Sequence, residues 1–312
     1  MSPPRCSCRA GSFVVYICFV VIETSAPTRI DLAGGTIDIW PLYLFHPGAQ
    51  TLNAAISLRA RARVESRSDD RIVIRSEDTG VTVETSDWRE LRDRRELRLL
   101  SLLVYFFQTR GITLTTSSES PAGAGLAGSS ALNVAVCAAL ADWNDRHYDP
   151  EALLQIAMNV EAQTIAVPTG LQDYRPALYG GIAALELDVD GIHRVPLEVD
   201  VRELESRIVL CYTGEPRNSG TNNWEITKKH IDGDRHVFDC FERIRDTASA
   251  MASQAPGLRP QPPDAPPAST RSRCGGFCPT PHNRHQASHP GSAISTTLRR
   301  RSISAACRRA TA

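Results

Sequence analysis

The segment SPAGAGLAGSSALNVAVCAAL, Ser120 to Leu140, constrains the fold more than any other part of this 312-residue chain. Glycine and alanine crowd its first half, and an apolar stretch without a helix breaker continues to Asp142. Glycine lets a backbone approach a ligand closely because no Cβ intervenes. The first N–H groups of a helix point outward at its positive end. The segment therefore predicts a loop that leads from a strand into a helix and binds an anion such as phosphate.

Ser129 and Ser130 stand where this helix would begin, so their hydroxyls can cap it or contact a metal held by the phosphates. The Walker A motif is excluded because it needs a lysine that the segment lacks. Gly123, Gly125 and Gly128 match the dinucleotide fingerprint in letters, but no acidic residue follows at the end of a second strand. The same glycines could also form a turn needed only for packing, so the loop alone leaves this alternative open.

Charge and composition limit the remaining function classes. The formal net charge is zero, which argues against a nucleic-acid surface along the whole chain. Lys228 and Lys229 are the only lysines, so phosphate chemistry must rely on arginine, backbone amides or metal. The nine cysteines follow no repeated spacing and are interpreted as reduced thiols, buried where they fall in apolar elements.

Periodicity predicts a mixed α+β protein. Alternation with a period of two indicates strands, and an apolar stripe with helical spacing indicates helices. Strands are predicted at about Cys18–Thr24 and within 51–68, 71–86, 112–120, 180–188 and 206–214. Helices are predicted at Arg94–Arg110, Ser129–Trp143, Pro150–Gln163, 219–234 and Arg235–Ala252.

The two ends of the chain differ from the middle. Basic residues precede the apolar run Phe13–Ile22, which could be a signal peptide, but no A-x-A site follows and the residue types favour a strand. Beyond Met251 the sequence is rich in proline, serine and arginine and resembles coding sequence read out of frame, so disorder is expected. The ligand pairs of Cys274, Cys278, His282 and His285 are too close for a zinc site, because such pairs usually stand about a dozen residues apart.

Three ordered motifs resemble the GHMP small-molecule kinases, the family of galactokinase, homoserine kinase, mevalonate kinase and phosphomevalonate kinase. PAGAGLAGSSA resembles their ATP-binding loop, P-x-G-x-G-L-G-x-S-S-A, with Ala127 replacing a glycine. APTRIDLAGGTIDI, Ala26–Ile39, resembles their N-terminal substrate motif, in the form found in the sugar-kinase branch of heptose-phosphate kinases and fucokinases. The segment Glu161–Gly181 is similar to the one that carries a metal-binding glutamate and a G-x-x-D aspartate.

The resemblance implies an ATP- and Mg²⁺-dependent kinase acting on a hydroxyl of a sugar or sugar phosphate. Asp173 would accept or orient the hydroxyl proton, and Arg29 would stabilise charge near the transferred group. Ser130 and Glu161 would hold Mg²⁺, which prefers oxygen ligands. The residues expected to bind the ATP phosphates are Pro121, Gly123, Gly125, Leu126, Gly128, Ser129 and Ser130, and those expected to contact the acceptor are Asp31, Gly34, Gly35 and Asp38.

The resemblance also implies a two-domain α+β fold. We predict a disordered or extraneous leader at 1–20, an N-terminal ATP-binding domain at 21–205, an incomplete ferredoxin-like C-terminal domain at 206–252 and a disordered tail at 253–312. The family's third glycine-rich motif is missing, which indicates a truncated or frameshifted C-terminus and impaired activity. An inactive remnant that binds nucleotide and a non-enzymatic interaction protein are the alternatives. We expect a cytoplasmic protein with a small-molecule substrate and no nucleic-acid or membrane partner.

Overall fold

The computed structural model describes residues 16–212, 214–215, 219–254 and 295–304, with side chains over 20–212, 214–215 and 223–254. Helices and one mixed sheet make up this part of the chain, which confirms the predicted α+β class. The strands are β1 (Tyr16–Ala33), β2 (Gln50–Ser66), β3 (Ile72–Ser76), β4 (Thr82–Thr85), β5 (Ile112–Ser118), β6 (Ile182–Asp188), β7 (Gly191–Pro196) and β8 (Ser295–Ser304). The helices are α1 (Arg98–Phe107), α2 (Gly128–Trp143), α3 (Pro150–Ile165), α4 (Tyr174–Tyr179), α5 (Val201–Arg207), α6 (Ser219–Ile231) and α7 (Arg235–Gln254), with 3₁₀ turns at Leu42–Phe45 and Trp88–Asp93.

The long strand β2 organises the sheet. The strand order is β4-β3-β5-β2-β1-β8, and β6 pairs with β2 and β7. β5 pairs with the second half of β2 and β6 with its first half, while β1 runs along its other side. Ala60, Ala62 and Val64 of β2 are buried, whereas the arginines between them point away from the core. This period of two is the pattern of a strand with one covered face.

Helix α2 lies at the centre of the core. From Ser130 to Ala141 every residue except Leu132 is buried. The helix contacts β1 and β2 on one side and α1, α3 and α4 on the others. Its many alanines are small enough to let the helix pack closely on all of these neighbours at the density of a protein interior. The apolar run that follows the glycine loop is therefore a core helix, and the core holds its first turn in place.

The start of α2 differs from the prediction that Ser129 or Ser130 caps it. The N-cap is Ala127, which has a left-handed φ of 58° and makes no side-chain capping bond. Because the helix begins at Gly128, both serines already lie inside the first turn. Their hydroxyls donate to Glu161 of α3 instead.

The ends of the described chain correct two further predictions. β1 begins at Tyr16, so residues 16–20 belong to the sheet and not to a leader. Residues 295–304 of the predicted disordered tail form β8, which pairs with Tyr16–Ser25 of β1. An edge strand offers a row of main-chain donors and acceptors, and pairing to them depends little on side-chain composition. Residues 1–15, 255–294 and 305–312, with the four Cys and His residues considered for zinc, lie outside the described residues.

The strand predicted around Ile208–Tyr212 is wrong. These residues form no strand, and Val209 is 91% exposed. Strand formation needs a partner, and no described strand lies beside them. No second sheet occurs in the described ranges, so the ferredoxin-like domain and the boundary at 205 stay predictions.

Helix α7 packs against β1, β2 and the segment that joins them. Its Phe241 is buried against Ile37, Ile39 and Leu42, and its Ala248 packs against Leu52 of β2. The predicted helices at 219–234 and Arg235–Ala252 therefore exist as α6 and α7. None of the helices in the described ranges combines the length and apolar character that crossing a bilayer requires.

Replacing Ala127 by glycine is expected to stabilise the protein. A left-handed conformation costs an L-residue about 1–2 kcal/mol, and the larger backbone entropy of unfolded glycine offsets roughly half of that. The matched control is Ala122→Gly, in the same loop at a residue without positive φ, which should lose stability. Urea unfolding of both variants checks the difference, and equal effects would contradict the strain at Ala127.

Candidate active site

A cavity of about 550 Å³ opens where the loop before α2, the end of β1 and the segment before α4 meet. Its volume lies in the range of small-molecule sites. Residues of the loop, α1 and several strand ends form its walls. They are residues 120–129, Leu97 and the first three residues of α1, Arg29, Asp31, Gly35, Thr36, Ser76, Asp78, Thr79, Ser118, Leu132, Gln172, Asp173 and Asn223.

The glycine loop lines this cavity along its whole length. Gly123 and Gly125 have φ of 72° and 77°, which glycine adopts without strain. A Cβ on Gly128 would stand 2.4 Å from the hydroxyl of Ser120, so glycine lets α2 begin against the end of β5. The residues predicted to bind ATP phosphates, Pro121, Gly123, Gly125, Leu126, Gly128 and Ser129, all line the cavity, whereas Ser130 is buried behind them.

Arg29 joins the loop to the rest of the site. Its backbone N–H donates to the carbonyl of Leu126 at 3.1 Å, and its Nη1 donates to that of Gly125 at 2.8 Å. Its Nε donates to Asp173 at 2.9 Å, and Nη1 lies 3.1 Å from Asp31. Burial opposes the charge of Arg29, but these two ion pairs outweigh it and keep its pKa above the usual value.

Asp173 lies immediately before α4 with its carboxylate at the cavity. Nε and Nη2 of Arg29 both donate to its Oδ1. No donor among the described residues contacts its Oδ2. One oxygen therefore holds the orientation of the carboxylate while the other is available to a ligand hydroxyl.

Glu161 is buried in α3 and accepts three hydroxyl hydrogen bonds. They come from Ser129 at 2.9 Å, Ser130 at 3.0 Å and Tyr174 at 2.6 Å. Burial raises the pKa of Glu161, although the bonds from Tyr174 and the serines oppose the shift. Ser130 and Glu161, the predicted metal ligands, are thus in contact with each other but do not line the cavity. Ser129, which also bonds to Glu161, does line it. Carboxylate and hydroxyl oxygens suit Mg²⁺, although no group of three or more His, Cys, Asp or Glu residues in the described ranges could hold a metal.

The predicted acceptor residues divide between the cavity and the wall behind it. Asp31 and Gly35 line the cavity. Gly34 does not, because its missing side chain makes room for β2: a Cβ there would stand 2.1 Å from the carbonyl oxygen of Gln50. Asp38 is also buried, and its Oδ2 accepts a hydrogen bond from the backbone N–H of Gln172 at 2.8 Å. Gly34 and Asp38 were predicted to contact the acceptor, whereas the structure places both behind the cavity wall.

Asp38 carries an unusual charge state. Burial, with smaller contributions from the carboxylates of Asp173 and Asp31, raises its pKa to about 7. Gly170 must be glycine at this contact because a Cβ would stand 2.0 Å from Oδ2 of Asp38. The Asp38 carboxyl therefore fits tightly under the segment that leads to Asp173.

Among the neighbours of the site that were not predicted, Asn53 donates to Asp31, and Gln172 and Asn223 line the cavity. Gln172 precedes Asp173 in the chain and could have been proposed by adjacency. Asn53 and Asn223 come from β2 and α6 and carry no local signal.

Comparison with known proteins shows the family to which the chain belongs. Residues 95–181 match the model of the GHMP kinases N terminal domain. The chain is 30% identical over 240 residues to the D-glycero-alpha-D-manno-heptose 7-phosphate kinase of Campylobacter jejuni, covering 74% of this chain and 70% of that protein. It is 28% identical over 237 residues to the L-fucokinase/L-fucose-1-P guanylyltransferase of Bacteroides fragilis, covering 64% of this chain but only 24% of that protein.

A solved structure has the same fold. The D-glycero-D-manno-heptose 1-phosphate kinase from Bacteroides thetaiotaomicron superposes with a TM-score of 0.55 at 24% identity, covering 72% of this chain and 79% of that one. The resemblance inferred from the three motifs is confirmed by the family match and by the relative from Campylobacter. This chain belongs to the GHMP kinase family.

Proposed function

We propose that this protein transfers the terminal phosphate of ATP to a hydroxyl of a sugar or sugar phosphate. The observation that carries the proposal is the convergence of the glycine loop, Arg29 and Asp173 on one cavity. The names of the two relatives, a heptose 7-phosphate kinase and a fucokinase, support the sugar class of acceptor. Phosphoryl transfer needs charge neutralisation and in-line positioning more than covalent chemistry, which this arrangement suits.

The triphosphate is assigned to the loop and the first turn of α2. Both line the cavity, the start of a helix offers main-chain N–H groups to an anion, and no lysine is among the described lining residues. Ser129, Ser130 and Glu161 provide the oxygens that would hold Mg²⁺, which when bound would neutralise phosphate charge. Because Ser130 and Glu161 are buried, Ser129 forms the side of this group that is open to the nucleotide.

The acceptor hydroxyl is assigned to Asp173 and Asp31. Oδ2 of Asp173 would accept the hydroxyl proton, or orient the hydroxyl, while Arg29 holds the opposite oxygen. Asp31, fixed by Arg29 and Asn53, would accept a hydrogen bond from a second hydroxyl. Asp38 and Gly34 support this end of the cavity from behind, through Gln172 and β2.

The intact site favours turnover over the two alternatives, an inactive remnant and a non-enzymatic interaction protein. All three side chains assigned to the transfer, Arg29, Glu161 and Asp173, stand in contact with partners that orient them. We place the reaction in the cytoplasm, with small molecules as its partners and no role for nucleic acid or membrane.

Replacing Asp173 by asparagine is expected to lower turnover by about 10²–10⁴-fold, the usual contribution of a general base. Asparagine keeps an oxygen for Arg29, so the loop and its affinity for ATP should change little. ADP release is measured over a panel of sugars and sugar phosphates, and ATP binding by thermal shift.

Asp145→Asn is the matched control, because Asp145 is 97% exposed and lies outside the cavity. Full turnover in the Asp173 variant would contradict the role given to this carboxylate. A wild-type protein that releases ADP with no acceptor of the panel would count against the sugar-kinase assignment itself.

Asp38 should make the folded protein less stable as the pH rises. Its pKa of about 7 exceeds the unfolded value of about 3.9, so the folded state holds the proton more tightly. The free energy of unfolding should therefore fall between about pH 4 and 7 and then level off. Asp38→Asn removes this dependence and should gain, relative to wild type, on the order of 2–3 kcal/mol between pH 5 and 8.

Urea unfolding at the two pH values measures this effect, with Asp145→Asn again as the exposed control. Parallel pH dependence of wild type and the Asp38 variant would show that Asp38 is ionised in the folded state across this range.

A further inference from the structure

A buried chain of hydrogen bonds joins His46, His230 and Glu242 away from the cavity. His46 Nδ1 lies 2.5 Å from Oε1 of Glu242, and its Nε2 lies 2.8 Å from Nε2 of His230. His46 has no exposed surface and His230 is 5% exposed. The reaction proposed above uses none of these three residues.

The contacts define where the protons lie. A carboxylate only accepts, so Nδ1–H of His46 donates to Glu242. Neutral His46 then offers a lone pair at Nε2, to which Nε2–H of His230 donates. Nδ1 of His230 is left as a lone pair, and no described residue bonds to it. With both imidazoles neutral, both contacts are hydrogen-bonded and no N–H of the pair lacks an acceptor.

A further proton has no acceptable position in this cluster. On Nδ1 of His230 it would be a buried N–H without an acceptor. On Nε2 of His46 it would either face Nε2–H of His230 or, with the His230 proton moved to Nδ1, leave that Nδ1–H buried without an acceptor. The rings of Phe45, Phe238 and Phe241 lie 5.3–5.5 Å from that of His230 and offer no polar alternative.

The charged surroundings do not remove this constraint. Burial, and to a lesser extent His46, lower the pKa of His230. Arg245 pairs with Oε2 of Glu242 at 2.7 Å. Arg235 lies 5.7 Å above the ring of Phe238 and adds positive charge nearby. Asp38 and Tyr43 are the remaining titratable groups of the segment that carries His46, and Lys228 and Lys229 precede His230 on α6.

The cluster is connected to the acceptor end of the cavity by residues 34–49, which we call the acceptor loop. Gly35 at its start lines the cavity, and Asp38 bonds to Gln172. Its middle, at Ile37 and Leu42, packs on Phe241 of α7. Its far end holds His46, so the loop is fixed at the cavity on one side and at the histidines on the other.

We propose that His46, His230 and Glu242 are positioning residues, which hold the acceptor loop in its binding conformation and make that hold dependent on pH. Protonation of the histidine pair releases the far end of the acceptor loop, so acceptor binding weakens in acid. The glycine loop before α2 is unaffected. The kinetic part of this proposal rests on the proposed kinase function, whereas the structural part does not.

Hydrogen exchange of the loop tests the structural part without any ligand. The reporters are the amides of Leu42, Leu44, His46 and Ala49, which are hydrogen-bonded within the loop. After correction for intrinsic rates, wild-type loop peptides should exchange about tenfold faster at pH 5.5 than at pH 7.5. Peptides from α2 should show no such step.

Two variants of His230 separate positioning from general loosening. His230→Gln keeps an N–H donor near the position of Nε2 but does not titrate, so its loop should exchange slowly at both pH values. His230→Leu removes the donor, so its loop should exchange rapidly at both. A pH step that persists in the glutamine variant, or loop exchange that matches wild type in the leucine variant, would overturn the proposal. Equal acceleration in α2 would also overturn it.

Kinetics test the functional part with the acceptor found in the ADP-release panel. His230→Leu should raise the KM for the acceptor about tenfold and leave the KM for ATP within about twofold. His230→Gln should have the wild-type KM for the acceptor. An unchanged acceptor KM would overturn the link to binding. If no acceptor supports ADP release, the kinase proposal fails and the exchange results still decide the role of the histidines.

Discussion

The buried guanidinium of Arg29 is the interaction on which the arrangement of the site depends. A buried charge is expensive unless it is paired and its donors are used, and here Asp31, Asp173 and the carbonyl of Gly125 use them. The backbone N–H of Arg29 also donates to the carbonyl of Leu126, so the glycine loop is fixed in position against β1. The position of the glycine loop relative to Asp173 is thereby set by a single residue.

Charge balance explains the different environments of the three aspartates. Asp31 and Asp173 share Arg29, which satisfies both carboxylates. Asp38 is buried nearby without a cation of its own, and its raised pKa leaves it largely protonated below about pH 7. Below that pH, two carboxylates share the single positive charge of Arg29. If Asp38 were ionised as well, three carboxylates would repel each other in a buried site.

Local chemistry decides which features could be predicted from the sequence. The glycine loop, helices α2 and α3, Arg29 and Asp173 are each marked by residues close together in the chain. Whether Ser129 caps α2 or bonds to Glu161 depends on a shift of two residues in the helix start. Whether Asp38 faces the cavity or the wall depends on the path of the acceptor loop over β2 and α7, which no short motif encodes.

Long-range pairing accounts for the errors in the strands. The apolar run at Ile208–Tyr212 has the composition of a strand, yet it has no partner among the described strands and remains irregular. The polar and arginine-rich residues 295–304 have a poor strand composition and pair with β1 nevertheless. Composition indicates which segments are compatible with a sheet, whereas an available edge decides which of them join it.

The proposed phosphate site, because it is built from peptide groups, has a consequence for how the protein tolerates change. Peptide N–H groups are the same whatever side chain they carry, so most substitutions along residues 121–129 leave the chemistry of the grip intact. Reagents and enzymes that acylate amines likewise find no lysine among the described residues that line the cavity. Sensitivity is concentrated instead in backbone shape, at Gly123, Gly125 and Gly128, where an added methyl group would alter the path of the chain.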